Sequence, residues 1–320
     1  MNRYATGQAT RYRATTALLK IALAHGITPA NWSSHYRYAP KAKAVVHPII
    51  VRGKREYWHR DDKGPKLSIN KSDPVYITAA KQVQDLNAYM AAQTIGGCLH
   101  LGFHRIFNHG DQKGFNYNMG GRLYPIGGGY QNMPSKDRAG ITINGEATIE
   151  LDVRASHVTV LHALAGVPLD PAHDPYAMPW LPRDVVKGWM TMTLGYGGFQ
   201  QSWSKETRGT LLEKKGINLD EYPIDQVRSA VLAHHPVLEG WPNSRLGWPE
   251  LQYWESQAII GAVFALAFLF DVAALPVHDS LIVPRSKLML AKRVLEESFE
   301  REIGAKPVLT IKENGRTLVL

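Results

Sequence analysis

Apolar and polar positions along the chain follow two different periods, and each period predicts one kind of element. Apolar residues spaced three and four apart predict helices, whereas alternating or short β-branched runs bounded by glycine and proline predict strands. The predicted helices are 77–95, 182–198, 251–270 and 286–304, and the predicted strands are 45–51, 99–107 and 147–153.

The segment LPVHDSLIVP, residues 275–284, predicts a hairpin with a carboxylate in its turn. Two apolar triplets, LPV and LIV, flank the turn sequence HDS, so that Asp279 stands where a simple strand favours another aliphatic residue. Strands and helices are interleaved along the chain without a regular βαβ repeat. The predicted fold class is therefore α+β rather than doubly wound α/β.

Composition and charge restrict the class of protein. With 320 residues, 44% of them hydrophobic, the chain is long enough to bury a sizeable core. A formal net charge of +9 indicates polyanionic partners, with nucleic acid favoured over an anionic membrane surface. Residues 1–75 contain basic side chains interspersed with tyrosine and tryptophan. This stretch is interpreted either as a surface that binds a nucleic-acid strand or as a solvated charged surface.

Cysteine usage and hydropathy indicate the compartment. The single cysteine, Cys98, gives no internal disulfide framework and no cysteine-based zinc site, which favours a reducing compartment. The amino terminus has no apolar core of signal-peptide length, and the most apolar run, 258–270, is shorter than the ~20 residues that span a bilayer. We therefore expect a cytoplasmic protein without a membrane partner, in which that run is a buried helix.

Two aspartates are the candidates for chemistry. Asp152 ends the predicted strand at 147–153, where a carboxylate serves either as a metal ligand or as the cap of the following helix. Asp279 would reach the same side of a sheet if its hairpin neighboured that strand. Paired carboxylates repel unless cations lie between them, and two divalent metals about 4 Å apart support phosphoryl transfer.

The sequence around these aspartates resembles the palm of the family A DNA polymerases and of the related single-subunit, phage-type RNA polymerases. LDVRASHVTVLHALAG resembles motif A, whose aspartate matches Asp152, and VHDSLIVP resembles motif C, whose His-Asp pair matches His278 and Asp279. The resemblance implies that Asp152, Asp279 and the backbone carbonyl of Val153 bind two Mg²⁺ ions, for which Mn²⁺ can substitute. It implies that His278 orients the hairpin or contacts the terminal phosphate of a nucleic-acid strand.

Between these two motifs, RDVVKGWMTMTLGYGG resembles motif B of the fingers helix. Arg183 and Lys187 are four residues apart and project from one helical face, and the resemblance implies that they hold a triphosphate. Tyr196 and Gly197 match the Tyr-Gly pair that closes over the incoming nucleotide. The spacing departs from the family pattern by one residue, and without the resemblance the two cations are interpreted as solvated helix charges.

Two further segments match the family more weakly. NMGGRLYP resembles the Asp-x-x-Gly-Arg segment of the phage-type enzymes, with asparagine in place of the acid, which implies that Gly121 and Arg122 lie along the template and product hybrid. The alternative is an ordinary glycine turn with a surface arginine. In LQYWESQAIIGAVFAL, Glu255 and Gln257 occupy positions that contact nucleic acid or the nucleotide sugar in the family, or Glu255 simply favours the positive end of the helix dipole.

The resemblance covers about residues 97–284 and implies a right-hand polymerase fold, with an antiparallel palm sheet, helical fingers and a small thumb-like region. The expected partners are a DNA template, a primer or product strand and nucleoside triphosphates. The implied divisions are 1–95 (basic and thumb-like), 96–166 (palm with motif A), 167–250 (fingers) and 251–320 (palm with motif C).

These motifs leave the choice of sugar open. Five residues after the motif A aspartate, the DNA polymerases carry glutamate and the phage-type RNA polymerases glycine, whereas this chain has His157, which can block a ribose or hydrogen-bond to it. Ser280 and the segments MTLGYG and GGR favour ribonucleotides, whereas the bulk of His157 favours deoxynucleotides. The prediction leans to RNA synthesis on DNA, as by a primase, with a compact primer-extending DNA polymerase for replication or repair as the alternative.

Two other functions use part of the same pattern. A nuclease would share the two-metal chemistry but needs further clustered acids, and Glu150 is expected to point to the opposite face of the strand from Asp152. A palm that has lost catalysis and only binds nucleic acid would keep the charge and the fold, although retention of both aspartates argues against it. The 13 histidines show no zinc-ligand spacing with acids, so zinc is not expected.

Overall fold

The computed structural model describes residues 14–35, 47–55, 63–313 and 316–320. The chain divides into two compact units, Met1–Lys41 and Ala42–Leu320. Much of the basic, aromatic stretch at residues 1–75, interpreted as a possible nucleic-acid-binding surface, lies outside the described residues.

In the smaller unit the described residues, 14–35, form two helices, α1 (Thr16–Ala24) and α2 (Trp32–His35). Helix α1 begins where the side chain of Thr15 accepts a hydrogen bond from the N–H of Leu18 at 3.2 Å, which satisfies one of the free donors of its first turn.

The larger unit contains ten strands and eight helices among the described residues. The strands are β1 (Ile49–Val51), β2 (Ile95–Gly96), β3 (Phe103–Phe107), β4 (Gly120–Pro125), β5 (Thr142–Ile143), β6 (Glu146–Val153), β7 (Leu275–Val277), β8 (Ser280–Pro284), β9 (Leu309–Glu313) and β10 (Arg316–Val319). The helices are α3 (Pro74–Ala91), α4 (Ser135–Arg138), α5 (Ser156–Leu164), α6 (Arg183–Tyr196), α7 (Lys205–Lys215), α8 (Ile224–His234), α9 (Trp248–Phe270) and α10 (Leu288–Ile303).

Strand β6 is the centre of the main sheet. It pairs antiparallel with β8 and with β9 over overlapping residues, so these two strands lie on its opposite edges. β7 extends the sheet beyond β8, β10 extends it beyond β9, and the short strands β5 and β2 continue from the beginning of β6. In the second half of β6 the buried Ile149, Leu151 and Val153 alternate with the half-buried Glu150 and Asp152, so one face of this strand packs in the core and the other lines a cleft. Every residue of β8 is buried.

A second sheet, with the order β1-β3-β4, packs against α9. Helix α9 also packs on α5 and α10, and several of its apolar residues are entirely buried, among them Leu251, Val263 and Leu266. Burying a side chain of this size contributes roughly 1.5–3 kcal/mol, so α9 joins the two sheets through a shared apolar core.

Local signals in the sequence account for where the principal helices begin and end. The Asp73 carboxylate accepts from the N–H of Val75 at 2.8 Å, and Pro74 occupies the first turn of α3. Helix α6 ends at Gly197, whose φ of +70° is the left-handed conformation that favours glycine.

The architecture is a mixed α+β fold with an antiparallel sheet and helices, as predicted. The helices predicted around 77–95, 182–198, 251–270 and 286–304 are present as α3, α6, α9 and α10, and the predicted hairpin is formed by β7 and β8. Strands β9 and β10 were not predicted. The four-part division of the chain stays a prediction, although β1 and α3, from the part expected to be thumb-like, lie in the larger unit and pack together.

Among the described residues, α9 is long and apolar enough to cross a membrane by length and composition. It has 23 residues and is longer than the apolar run at 258–270, because the helix begins before that run, at Trp248. Half of its most apolar 18-residue segment is buried inside the protein, as in a core helix.

Candidate active site

The β7–β8 hairpin places Asp279 beside the end of β6. Ser280 pairs with Asp152 across the antiparallel strands, so the two aspartates are offset by a single residue of register. The N–H of Val153 donates to the carbonyl of Asp279 at 3.1 Å, which ties the turn directly to the strand end. The hairpin and the strand are therefore neighbours, and Asp152 and Asp279 line the same cleft.

The turn that carries Asp279 has an unusual backbone. His278 is the first of two loop residues between Val277 and Ser280, and its φ is +55°. A positive φ suits the first position of a two-residue hairpin loop but is uncommon for a residue other than glycine, asparagine or aspartate. The centre of the exposed His278 ring lies 6.2 Å from that of the Tyr124 ring in β4, and a role of His278 in orienting the hairpin stays a prediction. Its contact with a phosphate stays a prediction.

Burial and like charges raise the pKa values of both aspartates. For Asp152 burial is the largest cause and raises the pKa to about 6, while Lys312 opposes the shift and Glu150 adds to it. For Asp279 burial is again the largest cause, and the negative charges of Glu255 and Asp152 help to raise the pKa to about 7. The aspartate that ionises first opposes ionisation of the other. Such a pair holds a proton or a cation near neutral pH.

Glu150 lies on the same face of β6 as Asp152, and the expectation that it points to the opposite face is wrong. Side chains two residues apart on a strand share a face. The Glu150 carboxylate accepts from the Arg138 guanidinium at 2.8 and 2.9 Å and from the Ser280 hydroxyl at 2.9 Å. Because these donors occupy it, Glu150 contributes a fixed negative charge near Asp152 rather than a third open carboxylate.

Lys312, in β9, is a site residue that the sequence did not reveal. β9 pairs with β6 so that Thr310 lies opposite Asp152, and Lys312 lines the cleft and lowers the pKa of Asp152. The alternation of Leu309 and Ile311 with polar residues is a signal for a strand that has Lys312 on its polar face. No signal in the sequence indicates that this strand pairs with β6.

Helix α6 presents Arg183 and Lys187 to the cleft, as their spacing predicted. Nε of Arg183 donates to Oδ2 of Asp174 at 2.6 Å, and the guanidinium carbon lies 5.2 Å from the ring centre of Tyr176. Nζ of Lys187 lies 5.9 Å from the same ring centre, so Tyr176 stands between two cations. Tyr196, at the last turn, is 44% exposed and also lines the cleft. The binding of a triphosphate by these residues stays a prediction.

A buried ion pair connects α9 with β4 and α5. Glu255 is 1% exposed, and its Oε1 lies 2.5 Å from Nη2 of Arg122 and 2.7 Å from Nε. Its Oε2 accepts from the Ser156 hydroxyl at 2.7 Å and lies 3.4 Å from Nε2 of His157. Burial lowers the pKa of His157, which keeps the ring neutral at pH 7. Glu255 thus positions Arg122, Ser156 and His157, and contacts of Glu255 or Arg122 with nucleic acid stay predictions.

Gly121 and Gln257 lie in the packing between β3, β4 and α9. Gly121 is buried with a φ of +84°, and a Cβ on it would meet Phe107 at 3.0 Å, Arg105 at 3.1 Å and Ser256 at 3.2 Å. The side-chain oxygen of Gln257 accepts from the guanidinium of Arg105. The close approach that Gly121 allows is therefore to protein atoms, because α9 covers this end of β4, whereas the sequence interpretation placed a sugar-phosphate chain there.

The aspartates open onto a cleft of about 1560 Å³. Ten of its lining residues are lysine or arginine and six are aspartate or glutamate, so the cleft carries a net positive charge. Lys54 and Arg55, which precede the undescribed residues 56–62, belong to this lining, as do Lys113 and Arg245. A cleft of this sign and size favours a polyanion with carboxylates at one point of its wall.

The donors that could hold a metal are few. In the described part of the chain, no group of three or more His, Cys, Asp or Glu side chains could hold a metal ion. The cleft offers the carboxylates of Asp152 and Asp279 and the backbone carbonyl of Val153. Paired carboxylates with raised pKa values fit a hard divalent cation, which takes oxygen ligands and keeps water in its remaining positions.

Comparison with protein-family models and with curated proteins gives no match. One similar solved structure is the POL domain of Pol1 from M. smegmatis in complex with DNA primer-template and dNTP, with a TM-score of 0.37 and 15% sequence identity. The match covers 74% of this chain and 50% of that chain, so this chain spans about half the length of that one. Structural similarity at this level does not indicate a function, and the function proposed below depends on the site itself.

Proposed function

We propose that this protein is a template-directed nucleotidyltransferase that extends a nucleic-acid strand with nucleoside triphosphates. The observation that carries the proposal is the position of Asp279 in the hairpin turn, one residue out of register with Asp152 at the end of β6, with both residues in the wall of a positively charged cleft. Both carboxylates have raised pKa values, which is the electrostatic signature of a site arranged for a function rather than for stability.

In this proposal Asp152, Asp279 and the Val153 carbonyl hold Mg²⁺, or Mn²⁺ in its place. Bound there, two such ions would lower the pKa of a terminal 3′-hydroxyl and neutralise charge on the triphosphate. The positive charge of Lys312 lowers the pKa of Asp152, which favours the ionised form that binds a metal ion.

The proposal gives the other cleft residues the following roles. Lys187 and Arg183 present cations from one face of α6 and bind the phosphates, with Tyr176 limiting where the two side chains can go. Tyr196 packs against the base or the sugar. Arg122 lies along the template and product hybrid, and His278 orients the hairpin or contacts the terminal phosphate of the strand. In this proposal His157, neutral and beside Glu255, faces the sugar. Our preference for ribonucleotides and primase-like synthesis depends on Ser280 and on the MTLGYG and GGR segments, whereas the bulk of His157 favours deoxynucleotides.

A primer-extension assay tests the proposal. The protein is incubated with Mg²⁺ and a labelled primer on a DNA template, or with an unprimed template, and ribo- or deoxynucleoside triphosphates are supplied in separate reactions. We expect template-dependent products that disappear when EDTA removes the metal. Product without a primer identifies a primase, and product only from deoxynucleotides on a primer identifies the DNA polymerase alternative. Binding of DNA with no product under any condition would identify a palm that has lost catalysis.

Metal binding is expected to depend on pH. With pKa values of about 6 for Asp152 and about 7 for Asp279, both carboxylates are ionised above pH 7 and take up protons as the pH falls through these values. Because each carboxylate must lose its proton to bind, the affinity for Mn²⁺ falls by up to about tenfold per pH unit for each proton displaced. Electron paramagnetic resonance of free Mn²⁺ measures this affinity. An affinity that is constant between pH 8 and pH 6 contradicts the assignment.

A further inference from the structure

Trp180 stands at the tip of a tight turn with its side chain in solvent. Met178 and Leu181 form an isolated antiparallel bridge, so Pro179 and Trp180 are the two central residues of the turn. Trp180 is 98% exposed, more than any other large apolar side chain in the described residues. Met178 and Leu181 pack against the core, so the base of the turn is anchored while its tip projects.

The backbone of Trp180 is as unusual as its exposure. Its φ is +68°, and proline followed by a positive φ is the pattern of a type II turn, in which the second central position favours glycine. A tryptophan there is strained, and it buries no apolar surface in return. Strain of this kind persists where the surrounding structure enforces it and is concentrated at functional sites.

The turn connects two residues that line the cleft containing the two aspartates. Trp180 is three residues before Arg183, the first residue of α6, and four residues after Tyr176, and both of these residues line the cleft. The adjoining loop is held by Arg154, another cleft residue, whose Nη2 donates to the carbonyls of Pro171 and His173 at 2.7 and 2.8 Å. The exposed indole is therefore attached, through three residues of chain, to a cation of the positively charged cleft.

We propose that Trp180 stacks on an unpaired base of a nucleic-acid strand that enters or leaves this cleft. An indole in solvent offers a flat apolar face to any base, whereas lysine and arginine in the cleft neutralise the phosphates, and this combination is how single strands are bound without sequence preference. The inference rests on the proposed polymerase function, because an unpaired template is the strand that such an enzyme presents at the edge of its cleft. Stacking selects single strands over duplex, since paired bases are already stacked.

The test compares Trp180→Gly and Trp180→Phe with Leu269→Ala. Leu269 is 75% exposed at the end of α9 and outside the cleft lining, so its truncation is a matched loss of exposed apolar surface. Binding of a labelled single-stranded DNA of about 12 nucleotides is measured without metal by fluorescence anisotropy. We expect Trp180→Gly to weaken binding about tenfold, equivalent to 1.4 kcal/mol, and Trp180→Phe to weaken it less. Leu269→Ala should bind as the wild type does, and duplex binding should change little.

Stability provides an independent readout. Glycine accepts the positive φ, so Trp180→Gly is expected to raise the melting temperature by about 2 °C while it weakens binding, and a damaged fold cannot produce that combination. The emission of Trp180, obtained as the difference between wild type and Trp180→Phe, should be quenched by the single strand.

The inference is overturned if Trp180→Gly binds the single strand as tightly as the wild type does, or if the difference emission does not change. If the wild type self-associates and Trp180→Gly does not, while both bind DNA equally well, the indole makes a protein contact. This result would also overturn the stacking proposal. Primer extension on the same preparations separates the two proposals. If the wild type extends a primer but Trp180→Gly binds the single strand as tightly as the wild type does, the stacking proposal is refuted and the polymerase proposal stands. If the wild type does not extend a primer but Trp180→Gly binds the single strand more weakly, the polymerase proposal is refuted and the stacking proposal stands.

Discussion

Asp279→Asn is expected to reduce nucleotide incorporation by at least about 10³-fold, equivalent to about 4 kcal/mol of transition-state stabilisation. The amide removes one of the two carboxylates that hold the metal and leaves the turn geometry in place. Asp152→Asn should have an effect of the same order, since the two residues act as a pair. Single-turnover primer extension measures the loss. Asp137→Asn, at an exposed aspartate of α4 outside the cleft lining, is the matched control and should extend normally.

The same substitution is expected to stabilise the metal-free protein above neutral pH. The pKa of Asp279 is higher in the folded protein, about 7, than the ordinary value of 3.8. The folded state therefore holds a proton that the unfolded state releases, so the stability contributed by this group is complete below about pH 4 and is lost as the pH rises through 7. Asparagine cannot ionise. At pH 8 without metal, Asp279→Asn should unfold at a higher urea concentration, with a gain of up to about 4 kcal/mol that disappears near pH 4.

These two measurements together test the site. Loss of incorporation with a gain in metal-free stability is the result expected of a carboxylate kept for its chemistry. If Asp279→Asn destabilises the protein at pH 8, the raised pKa is wrong. If either variant extends a primer at the wild-type rate, the assignment of the aspartates as metal ligands is wrong.

Arg122→Met is expected to destabilise the protein by about 3–5 kcal/mol, the largest effect on stability among these predictions. The substitution leaves Glu255, which is 1% exposed, without the guanidinium that contacts its Oε1 at 2.5 and 2.7 Å. Only the Ser156 hydroxyl and the neutral His157 ring remain near its other oxygen. Urea unfolding of Arg122→Met, Glu255→Gln and the double variant forms a double-mutant cycle that measures the coupling.

The double variant should recover much of the stability lost by Arg122→Met, because it removes the buried charge that the single variant leaves unpaired. The loss in Arg122→Met should also be smaller at pH 5 than at pH 8, since an unpaired buried carboxylate has a raised pKa and takes up a proton at the lower pH. Equal losses at both pH values, or no recovery in the double variant, would show that the pair does not carry the stability of this part of the fold.

Much of the fold could be read from local sequence. The periodicities that predicted α3, α6, α9 and α10 reflect one buried face per helix, and a helix satisfies its backbone hydrogen bonds within its own segment. The β7–β8 hairpin was likewise visible as two apolar triplets around a polar turn. Strands β9 and β10 were missed because they are short and follow a strong helical signal.

The candidate site was only partly predictable. The two aspartates were found from their positions at a strand end and in a turn, but the error over Glu150 came from misapplying the strand period, which places it beside Asp152. The part played by Glu255 was missed for a different reason. A glutamate near the start of a helix has the same local sequence whether it faces water or, as here, a buried arginine from β4.

The sequence by itself determined the α+β class, the principal helices, the hairpin and the two aspartates, because each of these is set by contacts between residues that are close along the chain. The tertiary structure alone decided that β6 lies between β8 and β9, that Lys312 moderates the charge of Asp152, that α9 covers Gly121 and that Trp180 is left in solvent. Each of these depends on strand pairing and burial between distant segments, where the free energy comes from the whole core and no local pattern specifies the partner.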